Sequence, residues 1–193
     1  MLKPSSRQKL LRIARQTIEA RLKGEKIPRL EVEEPELQER RGAFVTLTKG
    51  GRLRGCIGYT EPIYPLYEAV ASCALSAAFS DPRFPPLRAE ELPQIRIEIS
   101  VLSPLQKIQD ISQIQVGVHG LMISKGFQRG LLLPQVATQY RWDRETFLEQ
   151  TCYKAGLPAD AWKKGADIYI FSAEIFHEPN GAEGEERGRG EGG

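Results

Sequence analysis

The sequence has 193 residues and a mass of 21.7 kDa; 40% of its residues are hydrophobic, 27% are charged, and the net charge is +2. This composition excludes a wholly disordered chain, and no apolar run approaches the ~18 residues that a membrane-spanning helix needs. The three cysteines, Cys56, Cys73 and Cys152, cannot form a disulfide framework and make no Cys-x-x-Cys pair. Because the N-terminus has no signal-peptide core, we expect a cytoplasmic protein with free thiols and no membrane contact.

The charge is unevenly distributed along the chain. Residues 1–29 hold nine Lys or Arg and two Glu, a balance of +7, and the remainder carries −5. Such a basic arm can bind the phosphate backbone of nucleic acids. The alternative is a solvated helix face that the five glutamates of residues 31–39 partly neutralise. We favour the solvated face, because runs of charge usually lie on surfaces.

The first element is a helix. Ser5-x-x-Gln8 fits a capping box at its start, and apolar residues repeat at helical spacing from Leu11 to Leu22. Gly24 follows as a stop signal. We therefore predict an N-terminal helix whose apolar stripe packs on the rest of the domain.

The remaining predicted elements show no regular strand–helix alternation. In chain order we predict strands at 43–48 and 52–60 joined by a glycine turn, a helix from Leu66 that Asp81-Pro82 ends, a strand at 95–102, a hairpin of 116–123 with 127–133, a short helix at 134–140, a helix capped by Asp143, and a strand at 167–176. This order indicates an α+β fold with a largely antiparallel sheet. We expect residues 1–177 to form the domain and the Gly/Glu-rich residues 178–193 to be a disordered tail.

Residues 53–59 are the most informative segment for chemistry. In a strand, Arg54, Cys56 and Gly58 share one face, which places a guanidinium about 7 Å along the strand from a thiol. Nearby positive charge favours the nucleophilic thiolate, and glycines at 55 and 58 would let a ligand or another backbone approach. Cys56 and Arg54 are therefore candidate catalytic or ligand-contacting residues. The alternative, that Cys56 fills the core and Arg54 is a surface charge, stays open.

A second candidate segment follows the predicted helix at residues 78–87. Asp81 and Arg83 could present an acid and an anion-binding fork at a rigid corner. The same residues could instead end the helix and form a local salt bridge, which the spacing alone favours.

The other cysteines and the histidines are weaker candidates for functional residues. Cys73 and Cys152 lie on apolar helical faces, so we predict that they pack in the core. His119 and His177 lack the clustered ligands that a zinc site needs, and we predict no metal site. His119 could act as a base towards a thiol, but an ordinary strand histidine is the favoured interpretation.

Several segments resemble the AMMECR domain family, which is named for a chromosomal region linked to Alport syndrome, midface hypoplasia and elliptocytosis. The similar segments are Leu53-Arg54-Gly55-Cys56-Ile57-Gly58 and the stretches at 77–87, 129–137 and 142–157. Together they span about residues 10–176.

The resemblance implies an α+β fold with a larger and a smaller lobe and a cleft between them. It also implies membership of the AmmeMemoRadiSam system, in which such a protein is component A beside a Memo-like protein and a radical-SAM protein. The residues that it carries over are Arg54, Gly55, Cys56, Ile57, Gly58, Asp81, Pro82, Arg83 and Phe84, and by a weaker match Pro134 and Gln135; the site residues among them are Arg54 to Gly58, Asp81 and Arg83. It names neither a reaction nor a cofactor.

Together these observations lead us to expect that a cleft between the lobes binds a small anionic or nucleotide-like ligand, in a modification pathway shared with those two partners. Two alternatives stay open. The motif glycines could shape a groove for a protein partner, which makes the chain an adaptor module, or the basic N-terminal helix could associate with nucleic acid.

Overall fold

The computed structural model describes residues 1–179, which form two units. Unit 1 comprises Met1–Ser100 and the described residues from Ile175 onward, and unit 2 comprises Val101–Glu174. The chain passes from unit 1 to unit 2 within one strand and returns within another. Helices and antiparallel strands occur in both units, so the predicted α+β class is confirmed.

Unit 1 contains three helices and three strands. They are α1 (Pro4–Lys23), α2 (Pro35–Gln38), β1 (Ala43–Lys49), β2 (Arg52–Tyr59), α3 (Leu66–Phe79) and most of β3 (Ile95–Leu102), with a 3-10 helix at Ala89–Gln94 before β3. The strand order in this unit is β2-β1-β3. The helices α1 and α3 pack against each other, and α3 packs on β1 and β2.

The N-terminal helix forms where its periodicity predicts, but its start differs. Lys3 is the N-cap and no side chain caps the helix, so the predicted capping box at Ser5 is wrong. Pro4 occupies the first helical position instead, where its fixed φ suits the helix and its missing N–H costs nothing. Gly24 ends the helix in the left-handed region, with φ of 68°.

Strands β1 and β2 form a hairpin that packs on α3. Their register pairs Val45 with Ile57 and Thr46 with Cys56. Val45 and Leu47 are fully buried, whereas Thr46 is half-buried. Because side chains alternate between faces, one face of the hairpin packs against the alanine-rich α3 and the other carries Thr46 and Cys56.

Unit 2 is built around its own buried cluster. Its elements are β4 (Gln106–Ile108), β5 (His119–Lys125), β6 (Gln128–Leu132), α4 (Pro134–Gln139), α5 (Arg144–Lys154) and most of β7 (Asp167–His177). Strand β5 pairs antiparallel with β6 and with β7, and β4 pairs with β7. The helix α5 buries Phe147, Leu148 and Cys152 against this sheet, and Asp143 caps it by accepting a hydrogen bond from the Thr146 N–H, as predicted.

Two boundaries differ from the sequence prediction. Residues 116–118 form a turn rather than the start of β5, because the backbone N–H groups of Val118 and His119 bond back to Gln115. The tail predicted to begin at residue 178 lies outside the described residues from residue 180 onward. Glu178 itself accepts hydrogen bonds from the Arg15 guanidinium and the Ile97 N–H.

Candidate functional site

Cys56 is half-buried on the hairpin face that turns away from α3. Its Sγ atom lies 3.2 Å from the Thr46 Oγ1 atom, its cross-strand partner. The backbone N–H and C=O of Cys56 point away from β1, since both bond to side chains beyond β2. Thr46 and Cys56 are therefore a non-hydrogen-bonded pair, the kind in which opposite side chains approach most closely. The thiol and a hydroxyl share one partly accessible surface.

Asp81 and Arg83 bind the outer edge of β2 at Cys56. The Asp81 Oδ2 atom accepts the Cys56 N–H at 2.9 Å, and the Arg83 Nη2 atom donates to the Cys56 carbonyl at 3.2 Å. A neighbouring strand would offer the same acceptor and donor. The two side chains thus replace a strand partner at the edge of the sheet and hold the backbone of Cys56 in place.

The Asp81 carboxylate is buried and fully bonded. Besides Cys56, it accepts hydrogen bonds from the backbone N–H, the Nε atom and the Nη2 atom of Arg83. The bonds from the Arg83 side chain are the main reason why the pKa of Asp81 is held far below its usual range. The same contact raises the pKa of Arg83. Both groups are therefore ionised at neutral pH.

The alternation predicted for Arg54 and Cys56 is interrupted at Arg54. Gly55 pairs with Leu47 and Leu53 pairs with Thr48, so Arg54 lies at a register shift without a partner in β1, and its side chain is buried. Its Nε and Nη2 atoms donate to the two oxygens of Glu91, each at 3.0 Å, and Nη2 also donates to the Pro85 carbonyl at 2.9 Å. Glu91 belongs to the 3-10 helix before β3, and the hydrogen bonds from Arg54 hold its pKa well below the usual range. Among the described residues, no hydrogen bond joins Arg54 to the Cys56 thiol.

The ion pair leaves one donor of Arg54 without an acceptor. Within residues 1–179, its buried Nη1 atom has no hydrogen-bond partner. Glu91 also accepts a hydrogen bond from the Lys49 Nζ atom at 3.0 Å. Three cations (Lys49, Arg54 and Arg83) therefore surround two carboxylates, so this cluster carries one excess positive charge.

Comparison with known proteins identifies the family. The sequence model of the AMMECR1 family matches residues 11–176. The chain belongs to the AMMECR1 family. It is 51% identical over 177 residues to a protein of Methanothermobacter thermautotrophicus, covering 88% of this chain and 92% of that protein.

A second relative has a known structure. Protein PH0010 of Pyrococcus horikoshii is 46% identical over 181 residues, which cover 88% of each chain. The crystal structure of this uncharacterized protein matches with a TM-score of 0.74, covering 88% of the present chain and 89% of the other. The AMMECR1 resemblance of the sequence is thus confirmed, and the fold is one that an experiment has observed.

The AMMECR1 motif glycines make close packing contacts. A Cβ atom at Gly55 would lie 2.1 Å from the Ala77 carbonyl oxygen of α3. A Cβ atom at Gly58 would lie 2.2 Å from the Phe44 ring and 2.6 Å from the Ala43 oxygen. Both sites therefore admit only glycine without a shift of the backbone or ring. The structure fills the space beside each glycine with protein, and their predicted contact with a ligand stays a prediction.

The remaining residues considered in the sequence lie as follows. Ile57 is half-buried on the α3 side of the hairpin, opposite Val45. Cys73 and Cys152 are fully buried, as predicted, and burial raises the pKa of Cys73 to about 12. His119 begins β5 in unit 2, and its Nδ1 atom accepts the Gln115 N–H.

Two residues of the site were missed in the sequence analysis. Thr46 could not be found from the turn, because a two-glycine turn with regular pairing would place Val45 opposite Cys56, and only the register shift between Leu47 and Thr48 places Thr46 there. Glu91 had only a local signal: its carboxylate accepts the Arg88 N–H three residues earlier, the spacing of a helix-start cap. That spacing says nothing about Arg54, which is 37 residues away.

Two absences concern the described part of the chain alone. Residues 1–179 contain no group of three or more His, Cys, Asp or Glu side chains that could hold a metal ion. Within the same residues, no helix has both the length and the apolar character needed to cross a membrane.

The charges of α1 are partly neutralised. Lys9 pairs with both oxygens of Glu34, and Lys3 lies 3.8 Å from Glu36. Both glutamates belong to the acidic stretch that follows the basic arm. This arrangement supports the interpretation of the arm as a solvated helix face.

Proposed function

We propose that unit 1 binds a small anionic ligand, such as a nucleotide or another phosphorylated compound, at the surface of β2 that carries Cys56. The ligand contacts the thiol of Cys56, the hydroxyl of Thr46 and the guanidinium of Arg83. Arg54 supplies charge from beneath this surface. The observation that carries the proposal is the Nη1 atom of Arg54, a buried charged donor that has no acceptor among residues 1–179.

An unpaired buried donor costs about 1–3 kcal/mol, and more when it is charged. A protein tolerates such a cost where a ligand can relieve it. The excess charge of the cluster has the same effect, because an anion near Arg54 and Arg83 would balance the one positive charge that Glu91 and Asp81 leave uncompensated. Guanidinium groups are the side chains best suited to bind the oxygens of phosphate or carboxylate.

Access to Arg54 would require a small movement of residues 82–86. The Phe84 ring centre lies 6.0 Å from the Arg54 guanidinium carbon and 5.6 Å from that of Arg83. The Pro85 carbonyl bonds Arg54 from the same side. Outward displacement of Phe84 would expose the unpaired donor while Asp81 keeps Cys56 in place. We propose that this segment adjusts when the ligand binds.

The reactivity of Cys56 towards iodoacetamide tests the proposal at the site itself. Cys56 is half-buried while the other two cysteines are fully buried, so alkylation of the native protein reports on Cys56. With pyrophosphate or ATP present at about ten times its dissociation constant, we expect alkylation of Cys56 to slow about tenfold, because only free protein reacts. Unchanged alkylation at millimolar concentrations of both compounds would refute anion binding here.

Two variants localise the effect. Arg83→Gln removes a cation of the surface and should abolish most of the protection, whereas Arg21→Gln removes an exposed cation of α1 and should leave it intact. The alkylation rate without ligand tests whether Cys56 is a nucleophilic thiolate. If Cys56 reacts below neutral pH no faster than a thiol of the unfolded chain, it is a contact residue and not an activated thiolate.

We further propose that the bound ligand serves a modification pathway with a Memo-like protein and a radical-SAM protein. Membership of the AMMECR1 family supports this part. Mixing the chain with each purified partner and measuring co-elution on size exclusion, with and without ATP, tests it. Independent elution of all three proteins under both conditions would contradict the partnership.

A further inference from the structure

A cationic cavity lies in unit 1, and it shares no residue with the surface around Cys56. Its volume is about 220 Å³, and it lies between one side of α1 and the segment 28–31. Its polar lining comes from Lys9, Arg12 and Gln16 of α1 and from Arg29 and Glu31 of the crossing segment. Residues three or four apart on a helix lie on the same side, so α1 directs three polar side chains at one space.

The charges that line this cavity are not balanced. Both oxygens of Glu34 hold the Lys9 Nζ atom, at 3.0 and 2.7 Å. Arg12 and Arg29 are exposed, and neither forms an ion pair or hydrogen bond with any other residue in the described part of the chain. Glu31, which has no ion-pair partner within residues 1–179, offsets the charge of one of the two arginines. The lining therefore carries one excess positive charge, on two arginines that come from different segments.

We infer that this cavity binds a phosphate group. Two guanidinium groups that approach from different segments can bond different oxygens of a tetrahedral anion, and the fork of arginine donors matches phosphate geometry. The volume equals roughly seven water molecules at about 30 Å³ each, which leaves room for one phosphate group with some of its hydration. Bound phosphate would also relieve the repulsion between Arg12 and Arg29.

Residues 1–29 strengthen the attraction. Their balance of +7, which the five glutamates of residues 31–39 reduce to +2, still favours anions around α1. Lys9 remains fixed by Glu34, so it contributes positive potential at a constant position. Phosphate could reach the cavity as a free phosphorylated small molecule or as part of a nucleic acid backbone, because the recognised group is the same.

The experiment is a titration of the full chain with inorganic phosphate, observed through the arginine side-chain NH resonances in NMR. We expect the resonances of Arg12 and Arg29 to shift and saturate together. The double variant Arg12→Gln, Arg29→Gln should lose at least about tenfold in affinity, the typical value of one charge-assisted hydrogen bond. The control Arg21→Gln alters an exposed arginine of the same helix outside the cavity and should bind as the parent does.

A second arm of the experiment identifies the source of the phosphate. If a single-stranded oligonucleotide binds, and if the double variant reduces the slope of log affinity against log salt by about 0.7, the value for one phosphate, the cavity takes a backbone phosphate. If inorganic phosphate binds and the oligonucleotide does not, the cavity takes a free phosphorylated compound. Unshifted Arg12 and Arg29 resonances at saturating phosphate, or equal affinities of the parent and the double variant, would overturn the inference. Both arginines are exposed, so the variants should fold, which their melting temperatures check.

Discussion

Replacing Asp81 with Asn should destabilise unit 1 strongly, although the two side chains have nearly the same shape. Oδ1 accepts from the backbone N–H and the Nε atom of Arg83, and Oδ2 accepts from the Cys56 N–H and the Arg83 Nη2 atom. An asparagine offers one oxygen and one NH2 group, so in either orientation its NH2 group faces two donors. Two hydrogen bonds to a charged acceptor are lost, at about 1.5–3 kcal/mol each.

Solvent reduces this cost. The Arg83 side chain is 54% exposed, and water can replace part of what it loses. The side chain at position 81 has no such replacement, because it is only 4% exposed. We therefore expect Asp81→Asn to lower the free energy of unfolding by about 2–4 kcal/mol. Urea denaturation followed by circular dichroism measures this difference.

The same substitution at Asp143 is the matched control. Its Oδ1 atom accepts one hydrogen bond, from the Thr146 N–H at 2.8 Å, at the exposed start of α5. Asparagine caps a helix about as well as aspartate, so Asp143→Asn should cost less than about 0.5 kcal/mol. Equal effects at the two positions would refute the assignment of Asp81 as a four-bonded buried carboxylate.

The dependence on pH gives a second test of Asp81. Its folded-state pKa lies far below the unfolded value of about 3.9. Its ionisation therefore stabilises the fold fully above about pH 4–5, and this contribution is lost as the pH falls towards the folded-state pKa. When the pH is lowered from about 7 to about 3, the difference in free energy of unfolding between the parent and Asp81→Asn should decrease by about 1.3 kcal/mol. A gap that is the same at both pH values would show that Asp81 is not held ionised.

Two further substitutions test backbone geometry by urea denaturation. Gly55→Ala places a Cβ atom 2.1 Å from the Ala77 carbonyl oxygen, a backbone atom that cannot rotate away. We therefore expect the free energy of unfolding to fall by about 1–3 kcal/mol or more. A fall of less than about 0.5 kcal/mol would show that α3 moves freely. Arg141 has a φ of 55° just after α4, a conformation that glycine adopts without strain. Arg141→Gly should therefore raise the free energy of unfolding by about 0.5–1 kcal/mol. A destabilised variant would show that the Arg141 side chain makes a contact of its own.

Local sequence patterns predicted most elements, because the cause of each element lies within its own residues. The alternation of residues 95–102 matches β3 from Ile95 to Leu102, and the helix from Leu66 ends at Phe79, just before Asp81-Pro82. Where a prediction was displaced, a neighbouring backbone contact was the reason. The backbone N–H groups of Val118 and His119 bond back to the Gln115 carbonyl, so residues 116–118 form a turn and β5 begins only at His119.

The chemistry of the site was only half predictable. Alternation predicted that Arg54 and Cys56 share one face of β2, but a register shift between Leu47 and Thr48 leaves Arg54 without a partner in β1, so simple alternation does not hold between these two residues. What covers that face could not be derived, because Glu91 reaches Arg54 from a segment 37 residues away. A pattern along one strand gives the direction of a side chain, but it does not give the long-range partner that decides whether a guanidinium is free for an anion.

The segment around Asp81 shows why the two sequence interpretations were not true alternatives. Asp81 and Arg83 do form the local salt bridge that a helix stop would produce. The same pair also bonds the N–H and the C=O of Cys56, which lie at the outer edge of the sheet. A carboxylate alone would satisfy the N–H but leave the carbonyl open, and a guanidinium alone would do the reverse. An aspartate and an arginine two residues apart supply an acceptor for the N–H and a donor for the C=O of a single strand residue. The pair can therefore fix the backbone of Cys56 while its thiol stays accessible. The local salt bridge is thus the means by which the segment could serve a site, and loss of either charge should disturb Cys56 before it disturbs α3.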